Sequence, residues 1–260
     1  MKRRRITPMD VAALFCAVGF LVTGGLTLRD LLRSTREDAA NRELSLQVSQ
    51  AAEAVLPAEG PYTQEGILRR YEPLSRQNPH MMGWITIPGT KLDCPVMYTP
   101  EDPEWYLRRA FDGSDALSGS IFLGEGCVPE GNHLILYGHN MQDGTMFGEL
   151  PGYAAADYAR EHPDITLDTL RQEGTFAVMG AFYCQVDGED SFPYYQYPSF
   201  SSQEEQEGYL TEVLARSLYD TGVRPAWGDR VATLSTCSYV GEAGRFVVVA
   251  VEKKSSKEEK

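Results

Sequence analysis

Three side chains with complementary chemistry sit beside β-like runs. Cys237 closes "RVATLSTC" (230–237), Arg245 opens "RFVVVAVE" (245–252), and His139 follows the apolar run in "LILYGHNM" (134–141). A thiolate is the nucleophilic form of cysteine, and nearby positive charge favours it. An imidazole can protonate a leaving amine and later deprotonate an incoming one. A guanidinium offers fixed N–H donors to an oxyanion or a substrate carbonyl. Together the three would support acyl transfer through a thioacyl intermediate. Singly, each has a plainer explanation: a surface histidine, a buried inert cysteine, an ion-paired arginine.

Such a site needs elements that bring its members together. The link "SYVGEAG" (238–244) is short. If the flanking runs pair as a hairpin, Cys237 and Arg245 become neighbours across it. Further strand-like runs are "GWITIPG" (83–89), "LDCPVMY" (92–98), "GSIFLG" (119–124), "NHLILYGHN" (132–140), "DITLDT" (164–169) and "GTFAVMGAFYCQV" (174–186). Pro95 implies an edge or an irregularity in the second of these. Eight strands without alternating helices predict a mostly-β barrel or sandwich, not a parallel α/β sheet. One helix interrupts the late strands over 201–220, with serine capping candidates and acidic residues in its first turn. The segment "DSFPYYQYPSF" (190–200) is a long irregular connection rich in Tyr and Pro. "DPEW" (102–105) reads as a turn that starts a short helix. We find no internal repeat, P-loop or dinucleotide motif.

With 260 residues, 42% of them hydrophobic, the chain can build a packed domain. A net charge of −13 argues against a nucleic-acid partner. The charge is uneven. Of 24 basic and 37 acidic residues, seven basic and two acidic lie in residues 1–36. There "VAALFCAVGFLVTGGLTL" (11–28) runs uncharged for about 27 Å as a helix. A cleaved signal peptide is the competing reading, but no small-residue cleavage pattern follows. The expectation is an uncleaved span. Lys2–Arg5 lies on the cytoplasmic side and the bulk of the chain outside. Residues 29–56 predict a helix, a stalk or one packed on a domain, and a second short helix runs from about residue 65 to 77. The tail 253–260 reads as disordered. The five cysteines show no disulfide framework, and no metal motif is present.

"TLSTC", the arginine in "GRFVVVA", and "YGHNM" with "MFGEL" after it closely resemble the sortases, membrane-anchored cysteine transpeptidases of Gram-positive surfaces. "YGHNMQDGTMFGELPGY" (137–153) looks like class B, as does the helix before the penultimate strand. The resemblance covers about residues 80–252. It implies an eight-stranded sortase barrel there, behind a cytoplasmic tail (1–10), a transmembrane anchor (11–28) and N-terminal helices (29–79). It implies His139 as acid/base, Cys237 as nucleophile and Arg245 as substrate clamp. Ser235 and Thr236 would line the pocket, with Leu107, Tyr194, Tyr195 and Tyr197 as further substrate contacts. The implied reaction cleaves a secreted protein's sorting signal, of N-P-x-T-x type, after its Thr. The acyl group then passes to a peptidoglycan-precursor amine. No metal or cofactor is required. A pilin-polymerising or proteolytic enzyme with the same triad, and a non-catalytic peptide-binding module, are the alternatives. Two features depart from the family: Ser238-Tyr239 follows the cysteine where some relatives carry an acid, and Cys94 and Cys184 have no family role.

Overall fold

The β-branched and aromatic runs form eight strands in the computed structural model, which describes residues 8–55, 60–185, 191–237 and 244–254. Residues 8–14 and Cys237 are described by backbone alone. The strands are β1 (Met81–Thr86), β2 (Asp93–Met97), β3 (Ile121–Leu123), β4 (His133–Tyr137), β5 (Asp164–Thr169), β6 (Thr175–Gln185), β7 (Val231–Cys237) and β8 (Gly244–Glu252). They close into a barrel in the order β1-β2-β3-β4-β7-β8-β6-β5. Closure leaves no free edge, so Pro95 is not on one. It faces Trp84 of β1, while pairing with β3 begins only at Val96. The missing N–H therefore falls where β2 is paired on one side alone. Two pairings are parallel, β2 with β3 and β4 with β7. Parallel neighbours need long crossovers. The chain between β4 and β7 supplies one and carries β5, β6 and two helices on the way.

The described residues also form four α-helices: α1 (Pro8–Ala54), α2 (Glu72–Gln77), α3 (Ala156–Glu161) and α4 (Gln203–Arg216). The α4 N-terminus is capped as its sequence suggests: the Ser202 side chain accepts from the Glu205 N–H. "DPEW" ends in a 3₁₀ turn, Trp105–Arg108. The expected anchor and the expected helix over 29–56 are one continuous 47-residue helix, α1. Its apolar part is long and apolar enough to cross a membrane. Thr23 donates back to the Gly19 carbonyl and Thr27 to that of Thr23, so neither hydroxyl needs water. Beyond the apolar run the helix lies along the barrel instead of standing off it. Leu44 is buried against a cluster holding Tyr71, Leu74, Trp84 and Phe122. The basic tail before residue 8 and the charged tail after residue 254 lie outside the described residues.

One interior group makes folding pH-dependent. His133 opens β4 and is fully buried, stacked on Phe200 with ring centroids 4.7 Å apart. Its Nδ1 donates to the Tyr197 carbonyl at 2.5 Å. Its Nε2 lies 2.8 Å from Thr233 Oγ1, which shares a second bond with the Tyr209 hydroxyl. A neutral imidazole satisfies this chain. Burial pushes its pKa down to about 4, with the Tyr197 carbonyl opposing. The unfolded chain takes up this proton near pH 6.5. Acid therefore favours unfolding as pH falls from about 6.5 towards 4, where the penalty is complete. Relative to His133→Gln, the wild type should lose about 3 kcal/mol more stability between pH 7 and pH 4. Denaturant unfolding at the two pH values measures this. Parallel losses in both proteins would contradict it.

Candidate active site

The strand register sets the site before any side chain is considered. In the parallel β4–β7 pair, Tyr137 lies level with Ser235. The alignment continues past β4: the Gly138 N–H donates to the Ser235 carbonyl at 3.3 Å, and Thr236 Oγ1 donates to the Gly138 carbonyl at 2.8 Å. His139 and Cys237 thus come level at the same end of two neighbouring strands. On the other side of β7, Cys237 is the register partner of Arg245 in β8. The predicted hairpin pairing is therefore found, with Cys237 directly opposite Arg245. Three strands bring the three residues into one row at one rim. The connecting residues 238–243, which include Ser238, Tyr239 and Glu242, lie outside the described residues.

His139 is half-buried, and its Nε2 lies 2.8 Å from the Leu107 carbonyl. A carbonyl only accepts, so Nε2 carries the proton and Nδ1 is the basic nitrogen of the neutral ring. Burial lowers the His139 pKa. The Leu107 bond opposes this, and the neighbouring Arg108 guanidinium adds to it. The ring is therefore biased towards its neutral form. Two glycines make the placement possible. Gly119 has φ of 58°, and a Cβ there would stand 2.4 Å from the Leu107 carbonyl oxygen. A Cβ at Gly138 would stand 2.3 Å from Ile121 Cδ1 and 2.9 Å from the Phe147 ring.

Arg245 is half-buried and donates to the Gly244 carbonyl at 3.4 Å. Its charge is felt by Tyr137: burial raises that hydroxyl's pKa, and Arg245 pulls it back. Two buried thiols elsewhere, Cys127 and Cys94, are poor candidates for a thiolate. Burial pushes Cys127 up to about 11, and burial followed by the Asp93 charge pushes Cys94 far above its ordinary value. Among the described residues no group of three or more His, Cys, Asp or Glu side chains is arranged to hold a metal.

The remaining predicted contacts fall in different environments. Ser235 and Thr236 are buried. The Ser235 hydroxyl shares a 2.6 Å bond with the hydroxyl of Tyr194, itself buried. Tyr197 is half-buried, with its carbonyl taken by His133. Tyr195 is exposed and meets the Tyr194 ring edge-on at 5.8 Å. Leu107 is half-buried beside His139. The aromatic connection is thus partly core and partly surface. Sequence reasoning missed Arg108 and Gly119. Neither carries a chemical signature, and both matter only because the 3₁₀ turn reaches His139 across 32 positions of sequence.

The closed barrel, with His and Arg brought level with a strand-end Cys, is the architecture of a cysteine acyltransferase. No protein-family model matches the chain. Sortase B of Listeria monocytogenes is 31% identical over 179 residues, 67% of this chain and 70% of the relative. Sortase B of Staphylococcus aureus is 30% identical over 191 residues, 72% of this chain and 76% of the relative. Among solved structures, the S. aureus sortase B–substrate complex superposes with a TM-score of 0.74 at 25% identity, covering 86% of this chain and 100% of that one. A sortase B complexed with triglycine gives 0.72 at 26% identity, with coverage of 86% and 100%. The chain belongs to the sortase family, and within it to class B, the group of cysteine transpeptidases to which these relatives belong.

The Arg108 effect is directly measurable. Removing a positive charge beside an imidazole stabilises its protonated form. In Arg108→Gln the His139 ring should titrate at higher pH than in the wild type, followed by its ring-proton chemical shift. A midpoint that stays put or moves down would show that Arg108 does not act on it.

Proposed function

We propose that this sortase cleaves a sorting-signal peptide of N-P-x-T-x type after its Thr and passes the acyl group to an amine of a peptidoglycan precursor. In this reading Cys237 is the nucleophile, His139 the acid/base and Arg245 the clamp on the substrate carbonyl. The observation that carries it is the shared level of His139, Cys237 and Arg245 across β4, β7 and β8. The substrate complex and the triglycine complex of related sortases B support a peptide donor and an amine acceptor for this chain as well.

The chemistry follows from the groups. Neutral His139 takes the Cys237 thiol proton, the thiolate adds to the Thr carbonyl carbon, and the electron pair moves onto oxygen. Arg245 N–H groups stabilise that oxyanion. Collapse breaks the peptide C–N bond, and imidazolium His139 gives its proton to the departing amine. A thioester remains on Cys237. The acceptor amine loses its proton to neutral His139, attacks the thioester and expels the thiolate. With Nε2–H held by the Leu107 carbonyl, proton transfer falls to Nδ1, and the same carbonyl stabilises the imidazolium when it forms. Leu107, Tyr195 and Tyr197 are the proposed contacts for the signal peptide. The hydroxyls of Ser235, Thr236 and Tyr194 hold the pocket wall in register.

Residues 11–28 are the proposed single-pass anchor. The basic tail 1–10 lies on the cytoplasmic side, the helical segment 29–79 and barrel 80–252 outside, and 253–260 form a charged tail. The compact basic cluster Lys2–Arg5 ahead of the apolar run supports this orientation.

The test is intact-mass spectrometry of the full chain in detergent, incubated with peptides carrying N-P-x-T-x, L-P-x-T-G and S/P-P-x-T-G signals. A thioacyl adduct should form with the N-P-x-T-x peptide and be absent from Cys237→Ala. Arg245→Lys should lower kcat/KM by about 10²-fold, because an ammonium does not reproduce the guanidinium fork. Near-normal turnover by Arg245→Lys would remove the clamp role. Binding of peptide without any adduct would point instead to a non-catalytic module.

A further inference from the structure

One turn of α1, residues 33–37, touches the loops on both sides of His139. The Glu37 carboxylate is largely enclosed, with its side chain 12% exposed. One oxygen accepts from the Leu117 N–H at 3.0 Å and from Arg33 Nε at 3.0 Å. The other accepts from the Ser118 N–H at 3.0 Å and the Ser118 hydroxyl at 2.8 Å. Arg33 reaches further, donating to the Asp115 carbonyl at 2.7 Å. Burial alone would raise the Glu37 pKa, but these four donors outweigh it and hold the carboxyl below its ordinary value.

The gripped loop is sewn to the turn that holds His139. The Ala116 N–H donates to the Arg108 carbonyl at 2.9 Å, and the Ser120 N–H to that of Tyr106 at 3.0 Å. Between them Gly119 lies so close to the Leu107 carbonyl that no side chain fits. That carbonyl is the His139 partner. On the other flank, Ser34 Oγ donates to Asp143 Oδ2 at 2.5 Å. Asp143 sits in the loop that begins at His139 and returns through the Phe147 N–H to the His139 carbonyl at 3.0 Å.

We propose that this turn of α1, just past the apolar run, is a positioning device for His139, and that Glu37 is a positioning residue for acyl transfer. It acts through Ser118, Gly119 and the Leu107 carbonyl, without touching substrate. A carboxylate is required because all four contacts are donors. Glutamine would turn an NH₂ group towards two of them. Loosening the loop lets the Leu107 carbonyl drift from Nε2. The ring then loses its fixed orientation, which is a loss in the chemical step rather than in peptide binding.

The inference rests on His139 being the acid/base, and the experiment separates the two. The full chain, labelled with ¹⁵N-histidine, gives only four ring systems to assign, His80, His133, His139 and His162. In the wild type the His139 signals should report an Nε2–H tautomer with slowed exchange. Glu37→Gln should lower kcat on the order of tenfold with KM within about twofold, as expected of misorientation. The His139 signals should move towards a mixed tautomer, while those of His133 and His162 stay in place. Arg42→Ala, which removes an exposed ion pair on the same helix, should change neither readout. Should Glu37→Gln fold poorly, Ser118→Ala removes a single donor and should shift the same readouts in the same direction, by less. Unchanged kcat, or lowered kcat with unmoved His139 signals, overturns the proposal. Wild-type activity in His139→Ala would instead sink the acid/base reading, while the ring spectra of Glu37→Gln still decide whether α1 positions the imidazole.

Discussion

The parallel register of β4 against β7 is the constraint on which the site depends. Parallel neighbours run to the same rim, so the residues following both strands emerge together. Tyr137 level with Ser235 brings His139 level with Cys237. The antiparallel turn back into β8 then starts a strand at that same rim, with Arg245 facing Cys237. An antiparallel β4–β7 pair would have sent His139 to the opposite end of the barrel. A slip of one residue would present Thr236 where Cys237 stands and turn each side chain to the other face. Hydroxyls guard against that slip: Thr236 is tied to the Gly138 carbonyl and Ser235 to Tyr194.

Two histidines six positions apart show how the same strand yields different chemistry. His133 enters the barrel and is enclosed by Phe200 and Tyr209, with both ring nitrogens engaged. Its pKa lies near 4, so it is neutral and structural at physiological pH. His139 leaves the barrel, is only half-buried, and has a single carbonyl fixing its tautomer. Burial lowers both pKa values, but at the rim the effect is partial. An imidazole able to exchange its charge state belongs there and not in the core.

The strands were legible because each is a β-branched or aromatic run bounded by turn residues, and all eight fall within a few residues of their expected places. The hairpin between β7 and β8 was legible from a short link. The sheet order was not, since nothing local in β4 says that it pairs with a strand a hundred residues away. The tyrosines of 190–200 show the same limit. Composition marks the segment as aromatic but does not say that Tyr194 points inward to Ser235 while Tyr195 faces solvent. Glu37 is the extreme case. In "STREDAANRE" it looks like one more charge on a solvated helix. Its four donors come from a neighbour on the same helix and from a loop eighty positions away.

That acid also bears on how the barrel meets the end of the apolar run. A stalk would hold the domain away from the segment that precedes it. Here Arg33 and Ser34 already contact the domain, five and six residues after Leu28, a rise of only about 8 Å along the helix axis. The contacts nearest the apolar run are made with Asp115, Ser118 and Asp143, the loops that flank His139. Farther along α1, Leu44 joins the cluster that holds Leu74, Gln47 meets Gln77, and Ser45 meets Asp93. Past the apolar run the helix is therefore part of the domain and not a spacer ahead of it. Through residues 33–37, α1 ties the loops beside His139 to the fixed line of a single helix. A site built this way has its geometry set from two directions, by strand register within the barrel and by helix contacts from outside it.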